Sequence, residues 1–122
     1  MFNILICDDE TEILEGLSFL FRRLNIEITT CESGRAAISL IESQSFDIIV
    51  CDYMMPDLTG EDVLNFLNMN PKNFPGLFIF FSAHFNLLGF SQEDVIVIPK
   101  PEINTLIVEI KKFLENYQGR NR

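Results

Sequence analysis

A chain of 122 residues is one domain's worth, and 48% apolar residues supply a packed core, which argues against a disordered chain. The formal net charge of −9, from 18 acidic against 9 basic side chains, argues against nucleic acid as a direct partner, because phosphate backbones reward clustered Lys and Arg. No apolar run is long enough to span a bilayer, and the first strand starts too soon after Met1 to leave room for a signal peptide.

The first strand is Ile4–Cys7. Ile13, Leu14, Leu17, Leu20, Phe21 and Leu24 then recur at helical spacing. A second strand, Ile26–Cys31, leads to Ser33, a candidate N-cap for a helix with Ala36, Ala37, Leu40 and Ile41 on its apolar face. Ile48–Cys51 is the third strand. Thr59 is placed to cap the next helix, with Asp62 in its first turn and Val63, Leu64 and Leu67 facing inward. Pro71, Pro75 and Gly76 mark Asn70–Gly76 as a loop. Leu77–Phe81 and Val95–Ile98 are the fourth and fifth strands, and Ile103, Leu106, Ile107, Ile110, Phe113 and Leu114 form a final helix. The tail from Gln118 is polar and expected to fray. Cys7, Cys31 and Cys51 all fall in predicted strands without C-x-x-C spacing. They read as small core hydrophobes, in keeping with a reducing cytoplasm.

Strands alternating with helices predict a parallel sheet covered on both faces, with right-handed crossovers. Periodicity alone leaves the strand order open. The strand ends are more telling. Asp8 and Asp9 follow the first strand, Asp52 the third, Ser82 the fourth and Lys100 the fifth. Open α/β sheets bind ligands at the carboxyl ends of their strands. Three carboxylates converging there repel one another unless a hard cation joins them, and Mg²⁺ is the usual choice where phosphate is handled, with Mn²⁺ as the alternative. A lysine and a hydroxyl complete a set for phosphoryl transfer in which Asp52 is the acceptor. Taken singly, each residue has an ordinary explanation as a helix cap or a solvated turn residue. Their order along the chain, each at the same end of its strand, favours a joint role.

Cys7-Asp8-Asp9-Glu10, Asp52-Tyr53-Met54-Met55-Pro56-Asp57-Leu58-Thr59-Gly60, Ser82-Ala83 and Lys100-Pro101 together resemble the receiver domain of two-component response regulators, including single-domain chemotaxis-type regulators. The resemblance runs from Ile4 to about Tyr117, so residues 1–118 are expected to form the receiver and 119–122 a tail or linker start. It implies a flavodoxin-like (βα)5 three-layer sandwich with strand order 2-1-3-4-5, the order known for flavodoxin-like folds. It further implies Asp52 as phosphoacceptor and Mg²⁺ bound by Asp9, Asp52 and the Met54 backbone carbonyl, with Asp8 acting through a metal-bound water. Ser82 would be the switch hydroxyl and Lys100 the phosphate-pairing lysine, with a cis Lys100-Pro101 bond. The implied phosphodonor is a sensor histidine kinase or a histidine phosphotransfer protein, and the implied output is a downstream protein or a separate output domain. Such a domain assists its own phosphorylation and dephosphorylation but turns over no separate substrate. The strand-five and final-helix face is the candidate for a homodimer.

Three positions depart from the family pattern. Val97 stands where receivers usually carry Tyr or Phe, so coupling through a swinging ring should be weak or different, unless Val97 is simply a strand residue. The segment between Ser82 and Val97 is short and predicts a shortened fourth helix, with Phe85, Leu87, Leu88 and Phe90 either exposed to a partner or packed under a collapsed loop. His84 either tunes water access to an aspartyl phosphate or is solvated and idle. Two rival functions are a docking module indifferent to phosphate and a Mg²⁺-dependent phosphohydrolase with an Asp nucleophile. Met54 counts against the second, because such enzymes want an acid there.

Overall fold

Four of the five strands are apolar almost throughout, as strands covered on both faces must be. In the computed structural model, which describes residues 2–83 and 89–120, these are β1 (Phe2–Cys7), β2 (Ile26–Cys31), β3 (Ile48–Cys51), β4 (Leu77–Ser82) and β5 (Val95–Pro99). They form one parallel sheet of order β2-β1-β3-β4-β5. β2, at an edge, is the strand with polar interruptions, Glu27, Thr29 and Thr30.

The helices are α1 (Thr11–Phe21), α2 (Gly34–Ser43), α3 (Gly60–Met69) and α4 (Ile103–Arg120). Successive strand residues point to opposite faces, which divides the core in two. On one face Leu5, Ile49, Phe78 and Phe80 pack with Ala37 and Ile41 of α2 and Val63, Leu64 and Leu67 of α3. On the other, Ile4, Ile6, Val50, Ile79 and Phe81 pack with Leu14, Leu17 and Phe21 of α1 and Leu106, Ile110 and Phe113 of α4. All three cysteines are free and buried, side by side on the first face through the register pairs Cys7↔Cys31 and Cys7↔Cys51.

The predicted caps are present. Ser33 Oγ accepts the Ala36 N–H at 3.1 Å. Thr59 and Asp62 form a reciprocal capping box. Two boundaries differ from expectation. Pro71–Asn73 inside the predicted loop is a 3-10 turn, with Pro at its start where a missing N–H costs nothing. α4 runs to Arg120, so the polar tail expected from Gln118 begins as helix; polar residues do not end a helix that has an apolar stripe to hold it. Residues 84–88, which include His84, Phe85, Leu87 and Leu88, lie outside the described residues, and with them most of the predicted shortened fourth helix. Phe90 is described and packs inward, its ring edge-on to Phe80 at 5.7 Å.

Candidate active site at the strand ends

The sheet ladder carries on one residue beyond the strands, and this brings the polar side chains together. The Asp8 N–H donates to the Cys31 carbonyl, the Asp52 N–H to the Cys7 carbonyl and the Lys100 N–H to the Ser82 carbonyl, at 2.9–3.0 Å. Residues 8, 52 and 100 are therefore locked to neighbouring strand ends before any side-chain contact forms. The Lys100-Pro101 peptide bond is cis.

Lys100 Nζ lies 2.8 Å from Asp8 Oδ2, 2.9 Å from Glu10 Oε1 and 3.3 Å from Asp52 Oδ2. Asp52 Oδ1 accepts the Tyr53 N–H at 2.8 Å, and Asp8 Oδ1 accepts the Glu10 N–H at 2.9 Å. Asp8, Asp52 and Ser82 are buried, whereas Glu10 is exposed. Burial pushes the Asp8 carboxyl above the usual carboxylate range, and the hydrogen bond from Lys100 offsets this only in part. Burial works to lower Lys100, yet its hydrogen bonds to Asp8 and Glu10, with the field of Asp52, hold it above the ordinary lysine value. The ammonium is thus firmly charged in a site that still carries surplus negative charge.

Glu10, Asp52 and Lys100 line an open cleft of about 280 Å³ with Asp9, Met54, Ser82 and Ala83, and Asp8 lies behind it against Lys100. Carboxylate oxygens of Asp8, Glu10 and Asp52 lie within 4.8 Å of one another, a spacing that can hold a metal ion. Of the residues predicted for the site, Asp8, Asp9, Asp52, Met54, Ser82 and Lys100 all meet here or border it. Asp9 is exposed at the cleft wall and stands outside the close trio; Glu10 takes the third place. Nothing in the linear pattern assigns Glu10 a role. Its one signal is that a third acid directly follows Asp8-Asp9. Val97 lies in register with Phe80 and packs, half-buried, against the α2/α3 core.

Asp57, at the far end of the same loop, is a structural clamp. Its carboxylate accepts the Gly34 and Arg35 N–H groups at 2.9 Å each and the Leu58 N–H at 2.8 Å. This ties the loop after Asp52 to the N-terminus of α2, where a carboxylate is favoured.

Comparison with known proteins agrees with this geometry. Residues 4–98 match the family model of the response regulator receiver domain. Response regulator SaeR of Staphylococcus aureus is 30% identical over 125 aligned residues, covering 93% of this chain and 54% of SaeR, so the chain spans about half the length of that relative. Among solved structures, Thermotoga maritima response regulator TrrA in complex with Mg(2+)-BeF superposes with a TM-score of 0.80 at 26% identity, covering 93% of this chain and 99% of that one. A Francisella response regulator receiver domain reaches 0.81 at 27% identity, covering 96% and 99%. The strand order, the acidic cleft with its lysine and the match over residues 4–98 lead to one conclusion: the chain belongs to the response regulator receiver domain family.

Proposed function

We propose that this receiver takes a phosphoryl group on the Asp52 carboxylate from a phosphohistidine of a sensor kinase or phosphotransfer protein, and that the modification changes its binding to a downstream protein or output domain. The observation that carries the reading is the Lys100 ammonium held among Asp8, Glu10 and Asp52 at an open cleft. In the transfer an Asp52 oxygen forms a bond to phosphorus as the P–N bond breaks, and the imidazole nitrogen keeps the electron pair. Lys100 supplies positive charge to a phosphoryl oxygen and Ser82 a hydroxyl donor. The domain assists this chemistry on itself and acts on no separate substrate.

The donor set suits a hard divalent cation: oxygen ligands only, and three close carboxylates against one ammonium. Asp9, Asp52 and the Met54 carbonyl would hold Mg²⁺ or Mn²⁺, with Asp8 acting through water. The complex of the Thermotoga relative with Mg(2+)-BeF supports the choice of Mg²⁺. When bound, the cation supplies charge neutralisation that lets a carboxylate meet an anionic phosphoryl donor.

The test is intact-protein mass after incubation with acetyl phosphate, with and without Mg²⁺, beside an Asp52→Ala control. One added phosphoryl group that requires both Mg²⁺ and Asp52 is expected. A folded, Mg²⁺-binding protein that stays unmodified in every condition would overturn the reading in favour of a phosphate-indifferent docking module.

A further inference from the structure

We infer that Glu10 is the exchangeable partner of Lys100: it holds the ammonium in the unphosphorylated site, releases it to the phosphoryl group, and thereby restrains phosphorylation. This rests on Asp52 being the phosphoacceptor.

An ammonium has three N–H donors. Here three carboxylates surround it, Asp8 at 2.8 Å, Glu10 at 2.9 Å and Asp52 at 3.3 Å. Phosphorylation turns Asp52 itself into an acyl phosphate, so its phosphoryl oxygens inherit the longest of the three contacts, and the ammonium can close on them only by drawing away from Asp8 or Glu10. The side chain of Asp8 is 3% exposed, so release would strand a buried carboxylate. The side chain of Glu10 is 60% exposed, so water replaces the lost bond at small cost. Asp8 also anchors the backbone it would have to leave, by accepting the Glu10 N–H.

The backbone of Glu10 stays fixed while its side chain moves. Its carbonyl accepts the Ile13 and Leu14 N–H groups at the start of α1, at 3.0 and 3.2 Å. Its carboxylate makes no capping bond, so swinging away from Lys100 removes nothing from the helix. Glu10 acts through Lys100 and is a positioning residue.

The experiment follows phosphorylation by acetyl phosphate at saturating Mg²⁺ in wild type, Glu10→Gln, Lys100→Met and the double variant. In each, an Asp52 oxygen bonds to phosphorus as the bond to acetate breaks, and acetate leaves with the electron pair. Glu10→Gln should react about two- to fivefold faster, the scale of one exposed ion pair. It should also lose part of the salt dependence seen in wild type. In the Lys100→Met background the same change should have no effect on rate. Mg²⁺ affinity, measured by calorimetry for each protein, sets the saturating concentration, so that a change in metal binding stays out of the compared rates. Equal rates in wild type and Glu10→Gln at saturating Mg²⁺, or an acceleration that persists without Lys100, would each overturn the inference while leaving Asp52 as acceptor. No Asp52-dependent label on the wild type would overturn both.

Discussion

Asp52 is held in a conflict that folding alone does not resolve. It shares Lys100 with Asp8 and Glu10, so one positive charge faces three negative ones in a half-desolvated cleft. Asp52→Asn removes one of the three and gives up only the longest of the lysine contacts. In EDTA the variant should therefore be more stable than wild type by about 1 kcal/mol, read from urea midpoints. Added Mg²⁺ should stabilise wild type more and close the gap. A less stable Asn variant in EDTA would mean that the Lys100 contact outweighs the repulsion. The residues of this site were largely legible in the chain, because Asp8, Asp52, Ser82 and Lys100 each stand where an apolar run stops. Glu10 was not, since its partner lies 90 residues away and only the fold brings them together.

Among the elements, the loop from Asp52 to α3 is held at both ends. A Cβ on Gly60 would collide with the Asp52 backbone carbonyl, so the start of α3 packs against the Asp52 backbone too closely for any side chain. At the other end, the Arg35 N–H first, with those of Gly34 and Leu58, holds the Asp57 carboxyl below the usual carboxylate range. A carboxyl lowered by folding adds stability that is present above its unfolded pKa and is lost as pH falls through its folded value. Asp57→Asn should thus be destabilising at neutral pH, with the deficit shrinking by about pH 3 as the wild-type carboxyl protonates. Denaturant midpoints of both proteins at the two pH values measure this, and a deficit constant with pH would contradict it. The caps at Ser33 and Thr59 were readable because capping is local, whereas the Asp57 clamp joins α2 to a loop more than twenty residues later.

Over the molecule as a unit, the sheet holds two cores and its strand ends hold the site. Phe80 joins them. Its ring meets Phe78 at 5.0 Å, Phe90 at 5.7 Å and Tyr53 at 6.4 Å, and Tyr53 adjoins Asp52. Phe80→Ala should cost about 3–5 kcal/mol by chemical denaturation, the scale of a fully buried ring removed with little collapse; a loss under about 1 kcal/mol would show the core refilling the space. The α/β class, the near-complete set of elements and the strand-end acids and lysine were all written in the linear chain. They follow from local periodicity, capping and the switch from apolar run to polar end, all set by residues a few positions apart. The strand order was also implied there, through the family motif and not through periodicity. Folding in three dimensions was needed to show that Glu10 shares Lys100, that Asp57 clamps α2, that Phe90 packs on Phe80 and that Val97 turns toward the α2/α3 core. Each of those is a contact between distant segments, set by register and packing across the sheet rather than by any pattern along the chain.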